Sequence, residues 1–391
     1  MTNAIKLLTF VGFIRGLSAP TLESQYFDEF VKLCKYVDDV TVITAQVSDL
    51  NEIPKNLHIE KPPISQIPKI RGFSKLFYYS IYPLKMRKKI NLIYVRTMSP
   101  AEILSLWVVK SLLKIPCVLM IGGTCIYEPL TIRNRIYRWI FSHALVAADK
   151  IIVYSDKMIP FIKKLNSSIP DEKFVIVRNA IDENRFRPIS RDEMILKNMG
   201  IKDGEKVILF VGKIMKRKGA VDILKMVPLV KKEHNIKIVF IGNIDEKSSD
   251  FIELNSLSKS SNLRDRVILQ GKIPNNDLVK YLACADVYIY LTKGCEGIPR
   301  SILEAMACGK PVIATPIAGI PDAVISGETG YIVNDYIEAA EKINLLLSDV
   351  NLYNKISMNC RNKILNEFTF EKTLPKMIKL FNSVIQKQFN H

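Results

Sequence analysis

Glu296-Gly-Ile-Pro-Arg-Ser-Ile-Leu-Glu304-Ala-Met-Ala-Cys-Gly-Lys-Pro-Val-Ile-Ala-Thr315 is the stretch on which the reading of this chain turns. A strand-like apolar run, 286–291, ends just before it, and a second, 311–315, closes it. Between them the pattern predicts a helix over 300–308 starting near Pro299. Proline suits an early helical position because its missing N–H would have no intrahelical partner there. Glu296 then falls on the loop at the carboxyl end of a strand, and Glu304 falls in the second turn of the helix. A helix start offers unbonded backbone N–H groups and the positive end of the dipole to an anion. One carboxylate beside that anion and another a turn deeper is what a sugar nucleotide asks for, with diphosphate for the dipole and vicinal hydroxyls for the carboxylates. As an isolated pair, the same acids would read as ordinary helix-start residues stabilised by the macrodipole.

Outward from this stretch, short apolar runs alternate with amphipathic ones along the whole chain. Strands are predicted at 5–12, 39–45, 92–96, 116–121, 150–154, 174–178, 206–212, 237–242, 267–271, 286–291, 311–315 and 331–333. Helix-length segments lie between them at 22–36, 100–114, 131–148, 219–233, 276–284 and 300–308. Near-continuous Val/Ile strands separated by helices mean parallel sheets covered on both faces. Twelve strands are too many for one doubly wound sheet and fit two of six. The break falls in the polar stretch from Asn184-Arg-Phe-Arg-Pro188 to Gly200-Ile-Lys-Asp-Gly204, before a fresh strand at Lys206. The expected organisation is an N-terminal domain (1–190), a C-terminal domain (200–368) and a last helix (369–391) packing back toward the first domain. Pro375 inside that last helix predicts a kink or a late start. Ligands of doubly wound sheets bind at the carboxyl ends of the strands, so a cleft between two such domains is the expected site.

The run 296–315, followed by Ala318-Gly-Ile-Pro-Asp-Ala-Val324 and Gly327-Glu-Thr-Gly-Tyr-Ile-Val333, resembles the signature of the retaining family-4 type of GT-B glycosyltransferases. Phe210-Val-Gly-Lys213 through Lys218-Gly219 resembles that family's phosphate-binding strand and loop. Ala148-Asp-Lys-Ile-Ile-Val-Tyr-Ser155 and Val177-Arg-Asn-Ala-Ile-Asp182 resemble two landmarks between its domains. The match is long in the C-terminal half, whereas the first 140 residues match only in pattern. The resemblance implies an α/β GT-B fold of two Rossmann-like domains facing each other across a cleft.

It also implies roles. Glu304 would accept hydrogen bonds from the ribose of the nucleotide. Glu296 would face hydroxyls of the transferred sugar, with the backbone N–H groups of Gly297, Ile298 and Pro299 expected beside it. Lys213 and Lys218 would clamp the diphosphate and stabilise charge on the leaving group. The family generally has Arg at the position of Lys213; lysine keeps the charge but loses the bidentate fork. Lys213, Lys216, Arg217 and Lys218 form a basic run of the kind that is usually a solvated loop, but the place of Lys213 and Lys218 between an apolar strand and Gly219 favours phosphate contact for those two. Gly12 and Gly16 stand where the family carries a small glycine loop near the diphosphate, although an ordinary tight turn would read the same way. The histidine usual after the fourth strand is missing from Met120-Ile-Gly-Gly-Thr-Cys-Ile-Tyr-Glu128, which leaves Gly122-Gly123 backbone or Thr124 to meet the sugar. His143 reads as structural. Ala180 replaces a usual glycine, Asp322 replaces a usual Glu, and the loop 315–322 would bring Ile317 and Ala318 to the donor phosphates. No cofactor is implied and no Asp-x-Asp pair stands where it would hold a metal; the donor would be a UDP- or GDP-linked sugar. The implied reaction is transfer of a hexose-type sugar to a hydroxyl of a glycan or lipid-linked acceptor, with retention. No second carboxylate stands at nucleophile spacing of the glycosidase kind, which favours front-face attack assisted by the departing phosphate.

Composition frames this reading. The 391 residues are 48% hydrophobic and 24% charged, which excludes disordered and fibrous classes. There are 56 Lys+Arg against 39 Asp+Glu, a net charge of +17, and such an excess calls for an anionic partner. No acidic residue occurs between Lys61 and Ala101. Nine bases (Lys61, Lys69, Arg71, Lys75, Lys85, Arg87, Lys88, Lys89, Arg96) are interleaved there with Phe73, Phe77, Tyr78, Tyr79 and Tyr82. That pattern suits a peripheral surface on anionic lipid, with a solvated face of a basic protein as the alternative. No stretch of ~20 charge-free apolar residues predicts a membrane span. Lys6 to Ile14 has the look of a short signal-peptide core but reads better as a buried first strand. Seven scattered cysteines without a CxxC pair point to reduced thiols in a cytoplasm, several of them as small core residues.

Rival functions fare worse. A nucleic-acid binder would show a recognition motif, and none is present. A nicotinamide-dependent oxidoreductase would show G-x-G-x-x-G after the first strand. A GT-B sugar phosphorylase or nucleotide-sugar epimerase is the nearest enzymatic alternative.

Overall fold

The computed structural model describes residues 4–11, 14–15, 22–44, 47–48, 50, 52–63, 68–96, 100–123, 132–260, 262–294 and 296–389. The elements run β1 (Lys6–Val11), β2 (Ile14–Arg15), α1 (Leu22–Leu33), β3 (Asp39–Thr44), β4 (Val47–Ser48), β5 (Leu57–Glu60), α2 (Pro68–Lys85), β6 (Leu92–Val95), α3 (Pro100–Leu113), β7 (Cys117–Ile121), α4 (Ile132–Ala147), β8 (Lys150–Val153), α5 (Ile159–Lys163), β9 (Phe174–Ile176) and α6 (Glu193–Asn198). The second half continues β10 (Lys206–Val211), α7 (Ala220–Met226), β11 (Ile236–Ile241), α8 (Ser249–Ser258), β12 (Val267–Gly271), α9 (Leu278–Cys284), β13 (Val287–Tyr290), α10 (Arg300–Ala307), β14 (Val312–Ala314), α11 (Ile320–Ala323), β15 (Gly330–Ile332), α12 (Tyr336–Ser348), α13 (Val350–Glu367) and α14 (Phe370–Phe389).

Two compact units result: Met1–Arg178 with Phe370–His391, and Asn179–Thr369. The polar stretch 184–204 therefore belongs to the second unit. It is held there because Arg361 donates to the carbonyls of Glu183 and Phe186, and Ile181 bridges to Thr369. The last helix belongs to the first unit, where the Phe381 ring packs 5.4 Å from Tyr94. It starts at Phe370 and passes Pro375 without a late start.

The first unit holds a seven-stranded parallel sheet in the order β5-β3-β1-β6-β7-β8-β9. The second holds a six-stranded parallel sheet in the order β12-β11-β10-β13-β14-β15. The expectation of two six-stranded sheets is corrected by β5, whose Leu-His-Ile-Glu sequence carries only two apolar residues and pairs at the edge beside β3. The expected helices are joined by α2, which occupies 68–85 of the acid-free stretch. Leu8, Phe10, Leu92, Ile93, Val118, Leu119, Ile151 and Ile152 are fully buried, as strands covered on both faces require. Lys6–Val11 is accordingly the first strand of the sheet, buried from Leu7 to Phe10. Cys34, Cys117, Cys284, Cys308 and Cys360 are buried free thiols, and burial pushes those of Cys34 and Cys308 up to about 12.

The second unit is anchored by Asp286, at the entry to β13. Its carboxylate accepts from the Val207 N–H at 2.8 Å and from Arg191, while Tyr353 donates to its carbonyl at 3.0 Å. These bonds register β10 against β13, the two neighbouring strands whose carboxyl ends carry the residues considered next.

Candidate active site

After β10 the chain turns through Gly212 and Lys213, and a short 3₁₀ turn, Lys216–Lys218, ends on Gly219 at φ +85°. A Cβ on Gly219 would lie 2.2 Å from the Leu291 carbonyl oxygen and 2.8 Å from the Leu291 Cβ. Only glycine permits this approach of the β10 loop to the end of β13. The approach is then zipped by hydrogen bonds. Lys293 N–H donates to the Arg217 carbonyl at 2.8 Å, and Thr292 Oγ1 donates to the same oxygen at 3.3 Å. The Arg217 Nη1 returns a bond to the Gly294 carbonyl at 2.9 Å.

These contacts place two cations beside Glu296. Lys218 Nζ lies 3.4 Å and Arg217 Nη1 3.9 Å from Glu296 Oε1. The Tyr290 hydroxyl donates to the same oxygen at 3.0 Å. Tyr290 is buried, its ring stacks on Phe210 at 5.6 Å with 12° between planes, and Lys218 Nζ sits 5.6 Å over its face. Burial and the Glu296 charge hold the Tyr290 phenol well above its ordinary pKa, so it stays a donor.

From Glu296 the chain passes Gly297, Ile298 and Pro299, all buried, into α10. Pro299 is the N-cap of that helix. It has no N–H, so of the three residues expected to offer backbone donors only Gly297 and Ile298 have one; the first turn of α10 supplies the next, at Arg300 and Ser301. Asn179 Nδ2 donates to the Ile298 carbonyl at 3.1 Å, and Gly319 N–H donates to the Gly297 carbonyl at 3.1 Å. The adjoining Ala318 takes φ +46°, a backbone state costly for a residue with a Cβ and one that gathers at functional sites. Thr315 Oγ1 donates to the Thr292 carbonyl at 2.5 Å, which closes the loops after β13 and β14 onto each other.

Glu304 stands in the second turn of α10, buried at 1% exposure, with Arg300 Nε 3.8 Å from its Oε1. The helix that carries it is the predicted one, and Arg300 one turn earlier covers the carboxylate.

Thus Glu296, Lys218, Gly297, Ile298, Pro299 and Glu304 lie along one continuous path at the carboxyl ends of β10 and β13. Lys213 is exposed and lies outside the ion-pair cluster, which Arg217 and Lys218 form with Glu296. Gly12, Gly16 and Thr124 lie outside the described residues. Gly122 is described, with Tyr154 side-chain atoms 3.6 Å from where its Cβ would stand. His143 contacts the Trp139 carbonyl at 2.8 Å, a local helix contact in keeping with a structural role. Arg217, Tyr290, Asn179 and Thr292 are additions that the sequence did not single out. Two tyrosines in a Val/Ile-type strand were the available signal, because a buried tyrosine needs a partner for its hydroxyl. Among the described residues no cluster of His, Cys, Asp or Glu has the arrangement of a metal site.

The fold defines a class, and comparison with known proteins agrees on it. The Anabaena Alr3699/HepE structure in complex with UDP superposes with a TM-score of 0.77 at 16% identity, covering 97% of this chain and 100% of that one. The fold is GT-B, an α/β architecture of two parallel sheets with interleaved helices. The profile of the family described as Glycosyl transferases group 1 matches residues 192–363, and that of Glycosyltransferase Family 4 matches residues 33–185. The chain belongs to the family-4 type of group 1 glycosyltransferases. N-acetyl-alpha-D-glucosaminyl L-malate synthase of Bacillus anthracis is 28% identical over 224 residues, 56% of this chain and 56% of that relative's length. The chain thus spans little more than half of that relative. The UDP-Gal:alpha-D-GlcNAc-diphosphoundecaprenol alpha-1,3-galactosyltransferase of Escherichia coli is 26% identical over 314 residues, 78% of this chain and 79% of its own length.

Proposed function

We propose that this protein transfers a hexose-type sugar from a nucleotide-diphosphate sugar to a hydroxyl of a glycan or lipid-linked acceptor, with retention and without a metal. The observation that carries the proposal is the cluster of Glu296 with Lys218 and Arg217 at the carboxyl ends of β10 and β13. Two cations against one carboxylate leave positive charge for a diphosphate, and the carboxylate beside them accepts hydrogen bonds from sugar hydroxyls. Arg217 and Lys218 stabilise charge on the departing diphosphate. Gly297, Ile298 and the first turn of α10 supply N–H groups to the same anion, and Glu304 holds the ribose when Arg300 gives way to it. The UDP of the Anabaena structure and the UDP-Gal named for the Escherichia coli relative support a UDP-linked donor, with GDP-linked sugars as the second class to screen.

The diphosphoundecaprenol named for that relative supports a lipid-linked acceptor, and the first unit has features that suit one. Helix α3 packs against both α2 and α4. These three helices contain a single acid, Glu102, which is buried and paired with Lys75 at 2.7 Å. Phe77, Trp107, Leu112 and Trp139 are exposed on them. Of the aromatics noted in the sequence, Tyr79 faces inward against Phe10 and Tyr82 donates to Glu60. Basic helices with exposed aromatic and leucine side chains fit an anionic lipid surface, so the protein works peripherally at the inner face of a cell membrane. No described helix is long and apolar enough to cross one.

Thermal-shift screening against UDP-glucose, UDP-galactose, UDP-N-acetylglucosamine and GDP-mannose tests the donor assignment. A ligand at a hundred times its Kd adds about 2.7 kcal/mol of stability. Stabilisation by at least one of the four is expected, and by none contradicts the assignment. Sugar release that depends on orthophosphate would instead support the phosphorylase alternative.

A further inference from the structure

We propose that Tyr290 is a positioning residue that fixes the carboxylate of Glu296 for sugar transfer; this rests on the role given to Glu296 above. The sequence around it, Val287-Tyr-Ile-Tyr-Leu291, is a central parallel strand whose neighbours on both sides are β10 and β14. Such a strand is buried on both faces and filled by aliphatic residues. A tyrosine there carries a hydroxyl whose burial is costly unless it is bonded. Tyr288, two positions earlier, meets that need with a backbone partner, donating to the Val211 carbonyl at 3.2 Å. Tyr290 meets it with the carboxylate of a loop residue six positions ahead.

The difference matters because the two ends of this bond differ in rigidity. Tyr290 ends β13 and is locked by its stack on Phe210, whereas Glu296 lies on an irregular loop with three side-chain torsions to fix. A hydrogen bond from a rigid phenol is therefore directional control over the carboxylate. The two cations attract Glu296 without fixing its rotation, since an ammonium at 3.4 Å and a guanidinium at 3.9 Å act over distance rather than along a lone pair. The phenol at 3.0 Å supplies the direction. The same ring lies under Lys218 Nζ, so one side chain sets both members of the charge pair. Orientation of this kind is worth large factors in rate when the oriented group meets the reacting centre.

Tyr290→Phe removes the hydroxyl and keeps the ring, its stack and its face toward Lys218. The readout is nucleotide release from whichever of the four nucleotide sugars above the wild type turns over. Tyr290→Phe should lower kcat at least tenfold, with the donor KM changed less than threefold and the melting temperature nearly unchanged. In a Glu296→Ala background the same change should have no further effect on kcat. An equal loss in both backgrounds, or full kcat in Tyr290→Phe, overturns the proposal. If Glu296→Ala alone keeps wild-type kcat, the reading of Glu296 fails and takes the proposal with it; if Glu296→Ala is crippled while Tyr290→Phe is silent, the proposal alone fails. Crystal structures of the wild type and Tyr290→Phe give a check that needs no turnover. The Glu296 carboxylate should leave its single position in the variant, and an unchanged carboxylate overturns the proposal.

Discussion

Gly219 and Leu291 approach so closely that a Cβ on the glycine would stand 2.2 Å from the leucine's carbonyl oxygen. This approach joins the loop after β10 to the end of β13, and through it Lys218 reaches Glu296. Gly219→Ala must therefore shift one of the two loops, in addition to straining φ at +85°. The strain alone costs about 1 kcal/mol. Turnover should fall at least tenfold, more than the loss of stability explains, when kinetics and thermal unfolding are measured on the same preparation.

Lys218→Ala removes one of the two cations beside Glu296, and with it one of the charges proposed to meet the diphosphate. A lost charge contact to a developing anion costs roughly 100-fold in kcat. Lys218→Arg should recover part of that rate, since the charge returns with altered geometry. Lys213→Ala, at an exposed residue outside the ion-pair cluster, should have the smaller effect of the two. Steady-state kinetics on the three variants checks the ranking.

Asn179 spans from the strip 177–182 to the loop before α10, donating to the buried Ile298 carbonyl. Asn179→Ala leaves that carbonyl unpaired at a cost of about 1–3 kcal/mol. The expected result is weakened nucleotide affinity by isothermal calorimetry, because Gly297 and Ile298 lose their support.

Asp286 lies away from these loops at the other end of β13. Asp286→Ala leaves the buried Val207 N–H without its acceptor and should destabilise by about 2 kcal/mol in urea unfolding. Rescued by working at low temperature, the variant should keep the wild-type donor KM, which separates stability from the site.

The lipid-surface reading predicts that the protein sediments with phosphatidylglycerol vesicles and much less with neutral ones. Binding should weaken between roughly 50 and 500 mM salt as screening grows. Replacing Trp107 and Trp139 together by Ser should reduce it severalfold. Salt-independent binding, or binding indifferent to both tryptophans, contradicts the reading.

How much of this was legible before any coordinates follows from what each element is made of. The core strands announce themselves because parallel strands buried on both faces must be Val/Ile-rich throughout; Lys206-Val-Ile-Leu-Phe-Val211 is read at sight. Edge strand β5 hides because His58 and Glu60 interrupt its apolar run and prolines flank it. Helix α2 hides because Gly72 and Pro83 break its pattern, although the charge it carries was plain. At the site, Glu296 to Glu304 was legible because its parts are consecutive in sequence. Lys218 stood out through the resemblance of its strand and loop to the family's, and through its place between an apolar strand and Gly219. The partnership of Tyr290 with Glu296 was not legible, since a hydrogen bond across an irregular loop depends on where the loop returns. The approach of Arg217 to Glu296 was not legible for the same reason: which base of a run faces inward is set by the 3₁₀ turn and Gly219, and composition is silent about it.

On the function proposed above, Lys218 and Glu296 belong to a sugar-transfer site that acts on a nucleotide-diphosphate sugar without metal or orthophosphate. The most direct measurement is nucleotide release from UDP- and GDP-linked sugars, with water taking the sugar, by the wild type and Lys218→Ala, with chelator present and orthophosphate absent. Steady release by the wild type is expected, with a rate about 100-fold lower in the variant. Release that requires a metal or orthophosphate, or a variant as fast as the wild type, would contradict it.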